Sequence, residues 1–166
     1  MSLEPLLLAP VQVQIHAVTA SAAMLLGALV LFRRKGTPVH KFMGRVWVGL
    51  MLVTATSAIF INEIRMIGPF SPIHIFVVMV YVGVYQAVRD IRRGNVRAHQ
   101  AGMKSLYFGA LVLTGAFTLL PGRRMHDVLF GVESGWWPVA IVLPIALGST
   151  AYVYWRLMRP RRSRTA

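Results

Sequence analysis

No cysteine occurs anywhere in the chain, which removes disulfides, iron-sulfur clusters, zinc thiolate sites and thiol catalysis from the available chemistry. Any cofactor must therefore be held by histidine, methionine, tyrosine or a carboxylate. Carboxylates are scarce too: five Asp and Glu stand against eighteen Lys and Arg in 166 residues. None lies in the middle of an apolar run, which argues against a proton-coupled pump or transporter relay. Phosphate-cradling glycine loops, HExxH spacing and inverted repeats with broken helices are missing as well. The opening residues, MSLEPLLLAPVQ, carry an acid and no base. They lack the basic n-region of a signal peptide, so the first apolar segment is expected to stay in the protein.

What the chain has in abundance is apolar length. At 56% apolar, 14% charged and a mean hydropathy of +0.60, its composition is that of a protein dissolved in lipid. Apolar runs cover residues 11–32, 42–61, 72–88, 101–120 and 137–155, each near the roughly 20 residues a bilayer crossing needs. The expected fold is all-α: an integral membrane helical bundle with a four-helix up-down core and a peripheral fifth transmembrane helix. Residues 1–158 form a single transmembrane domain, and 159–166 a basic tail. Helix five has no histidine, is bounded by Trp136, Trp137, Tyr152, Tyr154 and Trp155 as interfacial belts, and is a candidate surface for a homo-oligomer.

The charge of +13 reports topology rather than a nucleic-acid partner, because of where it sits. Arg33, Arg34, Lys35, Lys41 and Arg45 surround the first connection; Arg89, Arg92, Arg93, Arg97 and Lys104 surround the third; Arg156, Arg159, Arg161, Arg162 and Arg164 form the tail. These face one acid, Asp90, whereas the opposite side mixes Arg65, Arg123 and Arg124 with Glu4, Glu63, Asp127 and Glu133. By the positive-inside rule the first side is cytoplasmic, with the N-terminus outside and the C-terminus inside a bacterial inner membrane. Asn62, Glu63 and Arg65 are expected to close helix two as a local ion pair.

Four of the five histidines fall near helix starts: His16, His40, His74 and His99. Because the helices alternate in direction, His16 and His74 belong to the outer leaflet and His40 and His99 to the inner. Helices two and three begin alike, Thr37-Pro38-Val39-His40 and Ser71-Pro72-Ile73-His74. A hydroxyl N-cap followed by proline puts each histidine in the first turn. There the helix dipole favours the neutral imidazole, the form that ligates metal.

In a four-helix bundle helices one and three are diagonal, as are two and four, so each pair is placed to clamp one planar cofactor. Haem b with two axial histidines is the group this suggests. Rows with small residues under the histidines would give it room or else serve close helix-helix packing: Ala20, Ala23 and Gly27 below His16, Gly44 below His40, and Met103, Leu106 and Ala110 flanked by Gly102 and Gly109 below His99. The row below His74, Val78, Tyr81 and Tyr85, is bulkier. Arg45 and Lys104 are placed to neutralise haem propionates or to reach lipid phosphate. His126, beside Arg123, Arg124 and Asp127, is expected at the surface.

The segments HKFMGRVWV (40–48) and RRGNVRAHQAGMKSLYFGA (92–110) carry a resemblance. They are similar to a family of bacterial predicted membrane proteins known only as a domain of unknown function, in which His-x-x-x-Gly-Arg and His-x-x-x-Met helix starts recur. The likeness covers about residues 14 to 120 and implies a compact four-helix core. In architecture, the histidine pairing resembles transmembrane two-haem b-type cytochromes that act as ascorbate or ferric reductases. That likeness implies a membrane electron carrier, an oxidoreductase component with two haems b and a membrane or soluble redox partner. The alternative is a cofactor-free membrane scaffold or small-solute pathway.

Overall fold

The computed structural model describes residues 2–61 and 72–159, with 72–74 in backbone only. Every regular element among them is helical. In chain order these are α1 (Glu4–Leu7), α2 (Val11–Phe32), α3 (Pro38–Ile59), α4 (Pro72–Arg92), α5 (Val96–Ser105), a π segment (Leu106–Leu113), α6 (Thr114–Thr118), α7 (Arg124–Phe130), a 3-10 turn (Val132–Ser134) and α8 (Trp137–Met158). The expected Ser71 cap and the Asn62, Glu63 and Arg65 cluster lie outside the described residues.

Among the described residues three helices, α2, α3 and α8, are long and apolar enough to cross a membrane. Each has 22 residues, or about 33 Å at 1.5 Å per residue, against about 30 Å of hydrocarbon. Their outward faces carry large apolar side chains such as Leu25, Leu29, Phe32 and Ile145. The other two expected spans are built differently. Helix α4 ends in Arg89, Asp90 and Arg92. The fourth rod passes through α5, the π segment and α6 with helical dihedrals at both joints, Leu106 at φ −62°, ψ −45° and Thr114 at φ −68°, ψ −35°.

Only the first expected boundary pair, 11–32, coincides with its helix. The others move because caps, not the ends of apolar runs, stop helices. Thr37 accepts a 3.1 Å hydrogen bond from the His40 backbone N–H and starts α3 at Pro38, ahead of the expected residue 42. The Asn95 side chain accepts from the Ala98 N–H at 3.1 Å, so α5 begins at Val96 rather than 101. Between them α4 runs on to Arg92 rather than 88 and is ended by Gly94 at φ +76°, a left-handed position natural to glycine.

The rods close a ring. Helix α2 packs on α3, α3 on α4, α4 on α5 and the π segment, and the π segment returns to α2. Helix α8 lies outside this ring against the π segment, α5 and α6, while α1 packs on α7 at the other end from the arginine-rich turns. This is the four-helix core with a peripheral fifth helix.

The centre of the ring is held by two aromatic donors. Trp47 Nε1 donates to the Ala23 carbonyl at 2.9 Å, and the Tyr107 hydroxyl donates to the Met24 carbonyl at 3.2 Å. Both rings lie over Gly27, where a Cβ would stand 2.5 Å from Trp47 Nε1 and 2.6 Å from Tyr107 Cδ2. Met51, Val77, Val80, Val84, Leu106 and Leu111 fill in around them. On the far side of the π segment, the Thr150 hydroxyl donates to the Phe108 carbonyl at 3.3 Å and Tyr154 packs at Gly109. A π turn leaves carbonyls out of the regular ladder, and a neighbouring hydroxyl satisfies one here.

Substituting Gly27→Ala should destabilise the bundle by about 1–3 kcal/mol through overpacking. The check is a lowered midpoint of thermal unfolding in detergent, with Gly44→Ala, where nothing lies within 4 Å of the would-be Cβ, as the tolerant control.

Candidate functional site

Helix α3 carries His40 in its first turn, and the helical row beneath it, Trp47, Met51, Ala55 and Ala58, is buried in the core. The imidazole Nδ1 of His40 is itself buried and has no hydrogen-bond partner. Such an orphan is costly in either tautomer, because Nδ1 lacks an acceptor for a proton or else a donor or ligand for a lone pair. One turn along, Gly44 faces open space. His99 and Lys35 stand within electrostatic reach of His40, so the ring does bring His40 and His99 into one neighbourhood.

His99 is oriented by α4. Its Nδ1 lies 2.9 Å from the Ala87 carbonyl, and since a carbonyl only accepts, Nδ1 carries the proton. With Nδ1 so engaged, Nε2 is the ring nitrogen left for a further partner. Close approach at this joint comes from Gly102, where a Cβ would lie 3.0 Å from that of Ala87.

At the other end of the ring, His16 is fixed in the same way. Its Nδ1–H donates to the Thr54 carbonyl at 3.0 Å and lies 3.2 Å from Ser57 Oγ, while Ser57 Oγ donates to the same carbonyl at 2.9 Å. Thr54 Oγ donates to Thr19 Oγ at 2.9 Å, and Thr19 Oγ to the Ile15 carbonyl at 2.8 Å. This network joins α2 to α3 fourteen residues beyond His40, about 21 Å along the helix. His16 and His40 therefore belong to opposite ends of the ring. Donation from one ring nitrogen to a carbonyl is also how metal-ligating histidines are commonly held.

The side chain of His74 lies outside the described residues. The row expected to run inward from that position runs outward instead: Val78, Tyr81 and Tyr85 are 61%, 39% and 66% exposed. The core face of α4 is Val77, Val80, Val84 and Ala87. The rows from His16, His40 and His99 do face the core, through Ala23 and Gly27, through Trp47 and Met51, and through Leu106. The small residues below His16 do not leave room, since Trp47 and Tyr107 occupy the space over Gly27. Arg45 is exposed and Lys104 half-buried, and neither meets a carboxylate among the described residues. No group of three or more His, Asp or Glu side chains gathers among the described residues, and the groove between α1 and α7, lined in part by Glu4 and Asp127, includes none of the histidines.

His126 corrects the surface expectation: it is 1% exposed. Its Nδ1 donates to the Leu119 carbonyl at 2.8 Å, its Nε2 lies 2.9 Å from Ser134 Oγ, and its ring sits 5.5 Å from that of Phe130. Both nitrogens are satisfied, so its role is to pin α7 and the following turn onto the end of the fourth rod. Charged neighbours in sequence suggested exposure, and the tertiary path that buries it is not encoded in that local pattern. The acceptors at Thr54 and Ala87 are equally invisible, being backbone oxygens chosen by packing.

A helical bundle with three helices long and apolar enough to cross a membrane among its described residues, cations gathered at one end and histidines at both, defines a helical membrane protein. The chain belongs to the family described as predicted membrane protein (DUF2306), which it matches over residues 13–149. No curated protein and no solved structure matches the chain.

Replacing His126 by Leu leaves the Leu119 carbonyl and Ser134 without their partner, and the expected loss is about 1–3 kcal/mol for the buried group left unsatisfied. A fall in detergent melting temperature for His126→Leu, with a smaller fall for Ser134→Ala, is the measurement that checks it.

Proposed function

We propose that the two histidine stations are cofactor positions and that the protein is a membrane electron carrier of the b-type cytochrome kind. In its full form the reading assigns His16 and His74 to an outer haem b, His40 and His99 to an inner one, and Arg45 and Lys104 to the inner propionates. The observation that carries it is at the inner station: the buried, partnerless Nδ1 of His40 beside His99, whose free Nε2 is fixed by the Ala87 carbonyl. A bound haem would supply a reversible one-electron couple there. The chain's own part is to hold His40 and His99 with one ring nitrogen of each unpaired and to place cations at headgroup depth.

A second reading has its own support. A cofactor-free membrane scaffold or small-solute pathway fits the filled space at Gly27, the outward row of α4 and a family defined only as membrane-bound. What the chain resembles supports this reading better than the first.

A reduced-minus-oxidised visible spectrum of the detergent-purified protein separates the two. The cytochrome reading expects about two b-type haems per chain, with the inner bands lost in His40→Ala or His99→Ala and the outer retained. A colourless protein from haem-replete cells leaves the cofactor-free reading.

We also propose five crossings with the N-terminus outside. The absence of native cysteine makes this simple to test: in intact cells Glu133→Cys should react with an impermeant maleimide, and Arg93→Cys only after permeabilisation. Labelling of both in intact cells would overturn the five-span arrangement.

A further inference from the structure

Eleven exposed arginines and lysines collect at the end of the ring that carries the α2–α3 and α4–α5 turns and the close of α8. The acid at this end is Asp90, and none of the eleven meets a carboxylate among the described residues. Like charges at such density repel unless counter-ions stand among them, since the screening length is about 8 Å at physiological salt. The structure therefore leaves a large uncompensated demand for anions.

The depth of these cations identifies the anion. Arg33 and Arg34 directly follow Phe32, which is 90% exposed at the end of a membrane-length helix. Arg92 and Arg93 close α4, and Arg156 lies in the last turn of α8. The guanidinium of Arg159 sits 3.7 Å from the centroid of Trp155, and tryptophan settles at headgroup level. The cations form a collar around an apolar stem, at the edge where hydrocarbon meets water, and they come from three separate places in the ring. Lipid phosphates surround such a stem on all sides and can reach every cation. A nucleic acid or an acidic protein would reach only the parts of the collar facing water.

We propose that this collar is a binding surface for anionic phospholipid headgroups, whose phosphodiesters serve as its counter-ions. It is independent of whether the histidines hold a cofactor. Juxtamembrane basic clusters of this size are drawn to anionic leaflets, and the attraction is electrostatic and salt-sensitive.

The test uses the full chain in nanodiscs made from equal amounts of phosphatidylglycerol and phosphatidylcholine, extracted into detergent, with retained lipid counted by native mass spectrometry. Phosphatidylglycerol should be retained over phosphatidylcholine by about tenfold. The ratio should fall toward one in a variant carrying Arg33→Gln, Arg34→Gln, Arg92→Gln and Arg93→Gln. Equal retention of the two lipids by the natural chain would overturn the proposal, as would undiminished preference in the variant.

Should the variant fail to fold, the natural chain still decides the question. Raising salt to 1 M, where screening shortens to about 3 Å, should release the phosphatidylglycerol, and lipid that stays bound counts against an electrostatic collar. Displacement of the lipid by an equal concentration of inorganic phosphate, or recovery of nucleic acid in its place, would also overturn the assignment to lipid.

Discussion

The structure depends on the contact of Trp47 and Tyr107 with the backbone of α2 at Gly27. In hydrocarbon there is no hydrophobic gain in bringing one apolar helix against another, because lipid is as apolar as leucine. Close packing and polar bonds between helices have to supply the attraction. Here both act at one place. The missing side chain at Gly27 lets the two aromatic rings reach the Ala23 and Met24 carbonyls. Through Trp47 the second rod is fixed to the first, and through Tyr107 the fourth is fixed to the first, which closes the ring. The π segment belongs to the same arrangement: it carries Tyr107 inward while its Phe108 carbonyl turns toward Thr150 of α8, so the peripheral helix attaches where the fourth rod departs from regular geometry.

The histidines exploit the same scarcity of donors and acceptors. Polar partners are few between apolar helices, and three imidazoles take their orientation from a backbone carbonyl on another element: His16 from Thr54, His99 from Ala87, His126 from Leu119. These bonds stabilise the bundle as helix-to-helix ties and also choose a tautomer. His126 goes one step further and engages both nitrogens, which makes it purely structural. His40 has no such acceptor for Nδ1, and that difference separates it from the other three. The unpaired Nδ1 of His40 and the tied imidazoles elsewhere stand out against the same rule, that buried polar groups are normally paired.

Charge does a separate job. The cations sit at the edge of the apolar stem and leave its interior free of ion pairs among the described residues. In the proposed arrangement these exposed arginines set the orientation of the chain and attract anionic headgroups with one distribution. The proposed orientation and the proposed lipid contact thus rest on a single charge asymmetry, and neither needs the helices to deviate from ordinary packing.

Length, composition and charge asymmetry were enough to establish a helical membrane bundle, because each reflects a constraint every residue of a span must meet: enough apolar residues to cross, and cations kept to one side. Caps were legible at Thr37 because hydroxyl-proline is a local pattern. The cap at Asn95 sat before a polar turn, so apolar counting missed it and began α5 late. Tertiary structure alone decided which way each helical face turns. It put Val78, Tyr81 and Tyr85 outward on α4, filled the apparent slot over Gly27, and buried His126. Those outcomes depend on rotation of one rod about its own axis relative to its neighbours. In a helix apolar nearly all round, no periodicity in the sequence specifies that angle, and only the mutual fit of side chains does.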